Sequence, residues 1–187
     1  MRLQSLLCRG SAAIALALTL PAIAAVLKPD LAKSSVTAQF KQMNVPVEGK
    51  FNRFNVQIDY DAAKLATSKA SMEIDIASFD LGDADFNKEA QKKEWFNGAQ
   101  FPKATFASSA LKPGANGRLD VSGKLSIKGK TVDVSFPLIV KKEGNQQVFE
   151  GALPIRRLAF NIGAGEWKDT SMVADEVVIK FRVVATQ

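Results

Sequence analysis

Residues 54–60 read Phe54-Asn55-Val56-Gln57-Ile58-Asp59-Tyr60, with every odd member of the run apolar and every even member polar. A period of two puts successive side chains on opposite faces of an extended chain, so this stretch is a strand with one dry and one wet side. The same alternation runs through most of the sequence. Val36, Ala38 and Phe40 face away from Thr37, Gln39 and Lys41, and Ala70, Met72, Ile74 and Ile76 oppose Ser71, Glu73 and Asp75. Residues 104–111 form a further run. Leu119, Val121, Leu125 and Ile127 keep one register with Gly123 among them, followed by Val132, Val134, Phe136 and Leu138, then Phe149, Leu153 and Ile155, and finally Val177, Ile179, Phe181 and Val183. These are eight strands, each apolar on one side only.

One-sided strands pair antiparallel and must bury the dry face. The connections agree: Lys112-Pro113-Gly114-Ala115-Asn116-Gly117 is turn chemistry, and Lys128-Gly129-Lys130 and Glu143-Gly144-Asn145 suit short hairpin loops. Closing eight strands into a barrel buries the dry faces together and leaves no unpaired edge. The fold class is therefore all-β, an eight-stranded antiparallel barrel. Its interior is wide enough to be filled by side chains or to hold one slender ligand. An outer-membrane barrel would need girdles of aromatic residues, and one Tyr and two Trp in the whole chain do not supply them.

One segment departs from period two. Asp83 to Phe96 spaces Phe86, Ala90 and Trp95 among lysine, glutamate and glutamine. It is predicted to form a helix or helical turns across the barrel mouth, capped by Asp83 or Asp85 and ended by Asn97-Gly98. Asp83, Asp85, Asn87 and Glu94 echo a calcium loop. Lys88 stands where that loop needs glycine, so acidic residues at a helix start are the plainer reading.

The N-terminus sets the compartment. Arg2 and Arg9 precede the apolar stretch 11–20, and Pro21-Ala22-Ile23-Ala24 offers a small-x-small cut. Residues 1–24 are thus predicted to be a secretory signal peptide, and 25–187 a single domain in the periplasm. Cys8 leaves with the leader, so the mature chain has no cysteine, and the sequence has no histidine. These absences remove the usual transition-metal ligands and the usual neutral-pH general base. No metal, no cofactor and no catalytic residue is expected. The formal charge of +6 falls by two on loss of Arg2 and Arg9. The remaining lysines are scattered among acids. That surface suits transient contact with a membrane and offers nucleic acid no basic stripe. A monomer and a dimer both fit.

Further stretches carry a family resemblance. Asp80-Leu81 precedes the polar helical segment, Trp95-Phe96-Asn97 and Phe101-Pro102-Lys103-Ala104-Thr105-Phe106-Ala107-Ser108. Gly123-Lys124-Leu125-Ser126-Ile127-Lys128-Gly129-Lys130-Thr131 leads to Phe136-Pro137-Leu138. With Val47-Glu48-Gly49-Lys50-Phe51, Ile155-Arg156-Arg157-Leu158-Ala159-Phe160 and Asp175-Glu176-Val177, their order and spacing resemble the YceI family of periplasmic polyisoprenoid-binding proteins, over about Lys33 to Val184. The resemblance implies a lipocalin-like barrel whose tunnel holds a long isoprenoid or another amphiphilic chain. It also shows departures. Lys33 and Gln42 stand where many members have histidine, and Phe86-Asn87-Lys88-Glu89-Ala90 replaces an Arg-Asp-x-His-Leu run.

On this reading the inward stripe lines the tunnel: Phe54, Val56, Ile58, Met72, Ile74, Leu125, Ile127, Val134, Phe136, Phe149, Leu153, Ile155 and Phe181. Without the resemblance, a filled core is the favoured reading of the same residues, because packed interiors are the rule. Arg53, Arg156 and Arg157 are candidates for an anionic head group. Alternation places Arg157 in register with Leu153 and Ile155, facing inward, and Arg156 outward. Trp95 and Phe96 are expected at the mouth, with Phe101 and Trp167 as further aromatic contacts. The function implied is a non-enzymatic carrier of a polyisoprenoid or similar lipid. The alternatives are a stress-related interaction protein with a filled core and an enzyme acting on isoprenoid lipids.

Overall fold

Eight of the ten strands among the described residues close on themselves, and they are the eight that alternation marks. The computed structural model describes residues 26–186; the expected signal peptide lies outside the described residues. In chain order the elements are β1 (Val26–Gln42), β2 (Val45–Phe51), β3 (Phe54–Asp59), β4 (Lys69–Asp75), β5 (Phe79–Asp80), α1 (Ala84–Ala90), β6 (Lys103–Pro113), β7 (Leu119–Ile127), β8 (Lys130–Glu143), β9 (Gln146–Arg156) and β10 (Glu176–Thr186). The sheet runs β10-β9-β8-β7-β6-β4-β3-β1, and β1 pairs back onto β10, from Lys28 opposite Thr186 to Gln39 opposite Val178. Every pairing is antiparallel. The result is the closed, lipocalin-like barrel, in which the ring strands have no free edge.

The turns follow from local chemistry. Met43 and Asn44 (φ 48° and 65°) and Lys128 and Gly129 (φ 48° and 72°) each place two residues in the left-handed region between paired strands. That is the hairpin geometry whose twist matches the flanking strands. Inside the ring, Gly151 sits opposite Phe181, where an added Cβ would stand 2.4 Å from the Phe181 ring. The missing side chain makes room for a chain of rings, Phe106–Phe136 at 5.5 Å and Phe136–Phe181 at 5.7 Å between centroids.

Two features differ from the sequence expectation. β1 begins at Val26, ten residues before the clean alternation, because its register slips between Asp30 and Ser35. Such a bulge scrambles the period, and here the Ser34 hydroxyl accepts the Val184 N–H at 3.0 Å across it. β2 alternates as Val45, Val47, Gly49 and Phe51, but Pro46 and Gly49 mask it as a strand. It pairs with the far half of β1 and carries the two-residue β5, so the barrel wall extends beyond the ring at one end. The polar segment forms a short helix followed by turns, in keeping with the expectation. Asp83 caps α1 by accepting from Asp85 N (2.8 Å) and Phe86 N (3.1 Å), and turns replace the helix after Ala90. Gln91 reaches away to donate to the Ile76 carbonyl at 3.0 Å, and Asn97 (φ 51°) reverses the chain.

Candidate ligand tunnel

The inward faces of the ring enclose free space as well as core. A first chamber, of about 120 Å³, lies within the ring between β3, β4, β6, β7, β8, β9 and β10. A second, of about 170 Å³, lies at the extended end between β1, β2, α1 and the segments around Trp95 and Trp167. Phe51, Phe96, Ile127 and Ile179 line both, so the chambers meet at a waist of four apolar side chains.

The expected tunnel residues sort cleanly. Val56, Ile58, Met72, Ile74, Leu125, Ile127, Phe136, Phe149, Leu153 and Phe181 line the first chamber, and Ile155 lines the second. Phe54 and Val134 line neither; they pack half-buried against the core. Val134 stands where β8 and β9 splay apart, since those strands pair only between Leu138–Glu143 and Gln146–Gly151. Phe54 opens β3 beside the break at Asn52-Arg53. Other wall residues were not singled out beforehand. Val121, Leu138, Ile179 and Val183 lie on the alternating faces already recognised, whereas Phe51, Phe79, Leu81, Ile162 and Val173 come from β2, β5 and loops that carry no such signal.

Trp95 lines the second chamber, and Phe96 lines both chambers. Phe96 closes onto Phe79 and Phe51 (centroids 5.3 and 6.3 Å) and Trp95 onto Trp167 (5.2 Å). Arg157 turns inward as its register requires and is 2% exposed. Its role, however, is not that of a head-group contact. A guanidinium has five N–H donors. Here Nε donates to Ala174 O (3.1 Å), Nη1 to Ile162 O (2.9 Å) and Gly163 O (3.3 Å), and Nη2 to Trp167 O and Val173 O (both 2.7 Å). Five carbonyls consume five donors, so the side chain ties the 162–174 loop to the barrel and has none left for a ligand. Arg156 faces outward to Asp175 (3.2 Å), and Arg53 is held by Asp75 at 2.8 Å, where that bond keeps the carboxyl below its ordinary pKa.

A second cation clips the same end. Lys128, on the β7–β8 turn, donates to Lys93 O (2.8 Å), Glu94 O (3.3 Å) and Asn161 O (2.7 Å). Burial pulls its pKa below the ordinary lysine value. Nothing in the sequence marks it, because its acceptors lie more than thirty residues away. One polar group in the chamber stays unmet: Trp95 Nε1 is buried without a hydrogen-bond partner among the described residues.

The geometry has counterparts in known proteins. BcnA of Burkholderia cenocepacia is 54% identical in sequence and superposes with a TM-score of 0.83, over 85% of this chain and 100% of that one. A polyisoprenoid binding domain from Saccharophagus degradans shares the fold at 18% identity, with a TM-score of 0.66 over 88% of this chain and 98% of its own. A UPF0312 protein of Vibrio parahaemolyticus is 30% identical over 71% of this chain and 72% of its own length. The model of the YceI-like domain matches residues 27–185, almost the whole barrel, and the chain belongs to that family.

Proposed function

We propose that this chain is an exported periplasmic carrier that holds a polyisoprenoid or similar amphiphilic lipid in its tunnel, tail in the first chamber and polar end in the second, without transforming it. The observation that carries the reading is a pair of apolar chambers that share Phe51, Phe96, Ile127 and Ile179 in their walls. Each methylene-sized group taken from water there contributes roughly 0.8 kcal/mol, so a long tail binds without specific polar contacts. The free space argues against a filled core. An enzyme acting on such lipids would need a base or nucleophile in the wall. The chain has no histidine, the wall carboxylate Glu89 is paired with Lys92, and Arg157 has its donors committed to backbone carbonyls. Titration of the purified protein with a polyprenyl lipid tests the reading: saturation at about one lipid per barrel, with the lipid recovered unchanged, is the result expected from the single-ligand barrel. Absence of binding or consumption of the lipid would reject it.

The rim of the second chamber supports brief docking on a membrane. Met43, Val45, Phe86 and Met172 are 60, 62, 56 and 43% exposed. Met43 N–H donates to Met172 O at 2.8 Å, joining the β1–β2 turn to the loop beyond, and Phe86 itself lines the chamber. Apolar residues exposed singly mean little; gathered at a tunnel mouth, they give a lipid a path that avoids water. The triple change Met43→Ser, Val45→Ser and Met172→Ser is expected to slow lipid uptake from vesicles by about tenfold or more, given the apolar area removed from the rim. Affinity for lipid delivered in detergent stays unchanged. Equal uptake rates by stopped-flow fluorescence would remove the rim from the proposal.

A further inference from the structure

The two ends of the first chamber differ. At one end its wall is shared with the second chamber, through Phe51, Phe96, Ile127 and Ile179. At the other stands Tyr60, which follows the last residue of β3 and keeps the inward register of Val56 and Ile58. Its ring meets Phe149 of β9 edge-on, with 5.4 Å between centroids and 87° between planes. Around the barrel, β1 and β10 lie between β3 and β9, so this contact reaches across the bore and not along one wall.

Behind the two rings the interior is filled. Gln147 is the next inward residue of β9, and Ala185 stands opposite it on β10. Neither lines the chamber. Ala185 is fully buried, and Gln147 Oε1 is buried without a hydrogen-bond partner among the described residues. Beside Tyr60 the chamber wall turns polar, with Ser71 and Lys69 of β4. A tail that reaches the rings therefore meets packed side chains ahead of it and a polar edge at its flank. With about 120 Å³ free in the chamber, a further isoprene unit finds no apolar space to enter.

Resting on the carrier reading, we propose that Tyr60, braced on Phe149 across the bore, is the floor of the tunnel and sets the longest tail that the barrel accepts. Tyr60 is then a specificity-determining residue that discriminates by tail length. Below the limit, each added isoprene unit leaves water for the chamber and strengthens binding. Above it, the added unit stays in water or forces the rings apart, and overpacking opposes the gain. The ring contact across the bore and the filled, partly polar interior behind it are two independent observations pointing the same way.

The test is calorimetric titration with a series of polyprenyl alcohols that differ by one isoprene unit. Wild-type affinity is expected to rise by about tenfold or more per unit and to stop rising at one length. Tyr60→Ala removes a half-buried ring at a strand end and is expected to move that length up by one unit. The first alcohol too long for the wild type then gains about tenfold. Tyr60→Trp is expected to move the limit down by one unit, and Tyr60→Phe, which keeps the ring, leaves it in place. A limit that is the same in wild type, Tyr60→Ala and Tyr60→Trp overturns the proposal. So does an affinity that climbs through the whole series, because the tail then passes the rings. A Tyr60→Ala change that weakens every length alike marks a packing role and overturns it as well. If no alcohol binds, the carrier reading falls and the floor falls with it.

Discussion

Replacing Arg157 with methionine is expected to lower the unfolding free energy by about 4 kcal/mol or more, because it strands buried polar groups and not merely one charge. Methionine fills similar space and removes any buried-cation penalty. What it cannot supply is the five N–H donors now bound to Ala174, Ile162, Gly163, Trp167 and Val173. Each buried carbonyl left without a partner costs about 1–3 kcal/mol, and relaxation of the loop recovers part of the total. Arg157→Lys restores little, since three donors on one nitrogen do not reach acceptors spread around a planar fork. Urea unfolding measures both. A shift below about 1 kcal/mol for the methionine variant would show that the clip is dispensable. The loop 162–174 should also become the first site of proteolysis, as its tether to β9 is gone.

The second large effect lies at the waist. Ile179 lines both chambers, so tryptophan there obstructs the passage between them. A lipid long enough to occupy both chambers then leaves several methylene-sized groups in water. At roughly 0.8 kcal/mol each, the expected loss of affinity is at least about 100-fold. A short acyl chain that fills only the first chamber is expected to keep most of its affinity, apart from overpacking of about 1–3 kcal/mol shared by every ligand and visible in the melting curve. Titrating long and short ligands against Ile179→Trp separates the two effects. Unchanged binding of the long lipid would mean that it does not thread the waist.

The legible part of this molecule was the part governed by period two. All eight ring strands could be read because each buries one face, and burial of one face forces alternation in the residues themselves. Legibility ended where the backbone leaves that rule. The bulge between Asp30 and Ser35 hid the first ten residues of β1, Pro46 hid β2, and two-residue β5 is too short to have a period. The tunnel wall followed the same division. The first chamber was visible in its stripe of Val56, Ile58, Met72 and Leu125, while half of the second comes from loops and from β2 and β5. Arg157 shows the limit most clearly. Its inward direction followed from register with Leu153 and Ile155, but its partners are backbone carbonyls, which every residue has, so no pattern of side chains announces them.

Native mass spectrometry of the protein purified from its exporting host, followed by solvent extraction, tests the carrier reading most directly. The expected result is one noncovalent adduct per barrel with the mass of an isoprenoid or other long-chain amphiphile, released by organic solvent and identified in the extract. A protein that emerges bare, and stays bare after incubation with polyprenyl lipids and quinones, would contradict it and leave only the barrel.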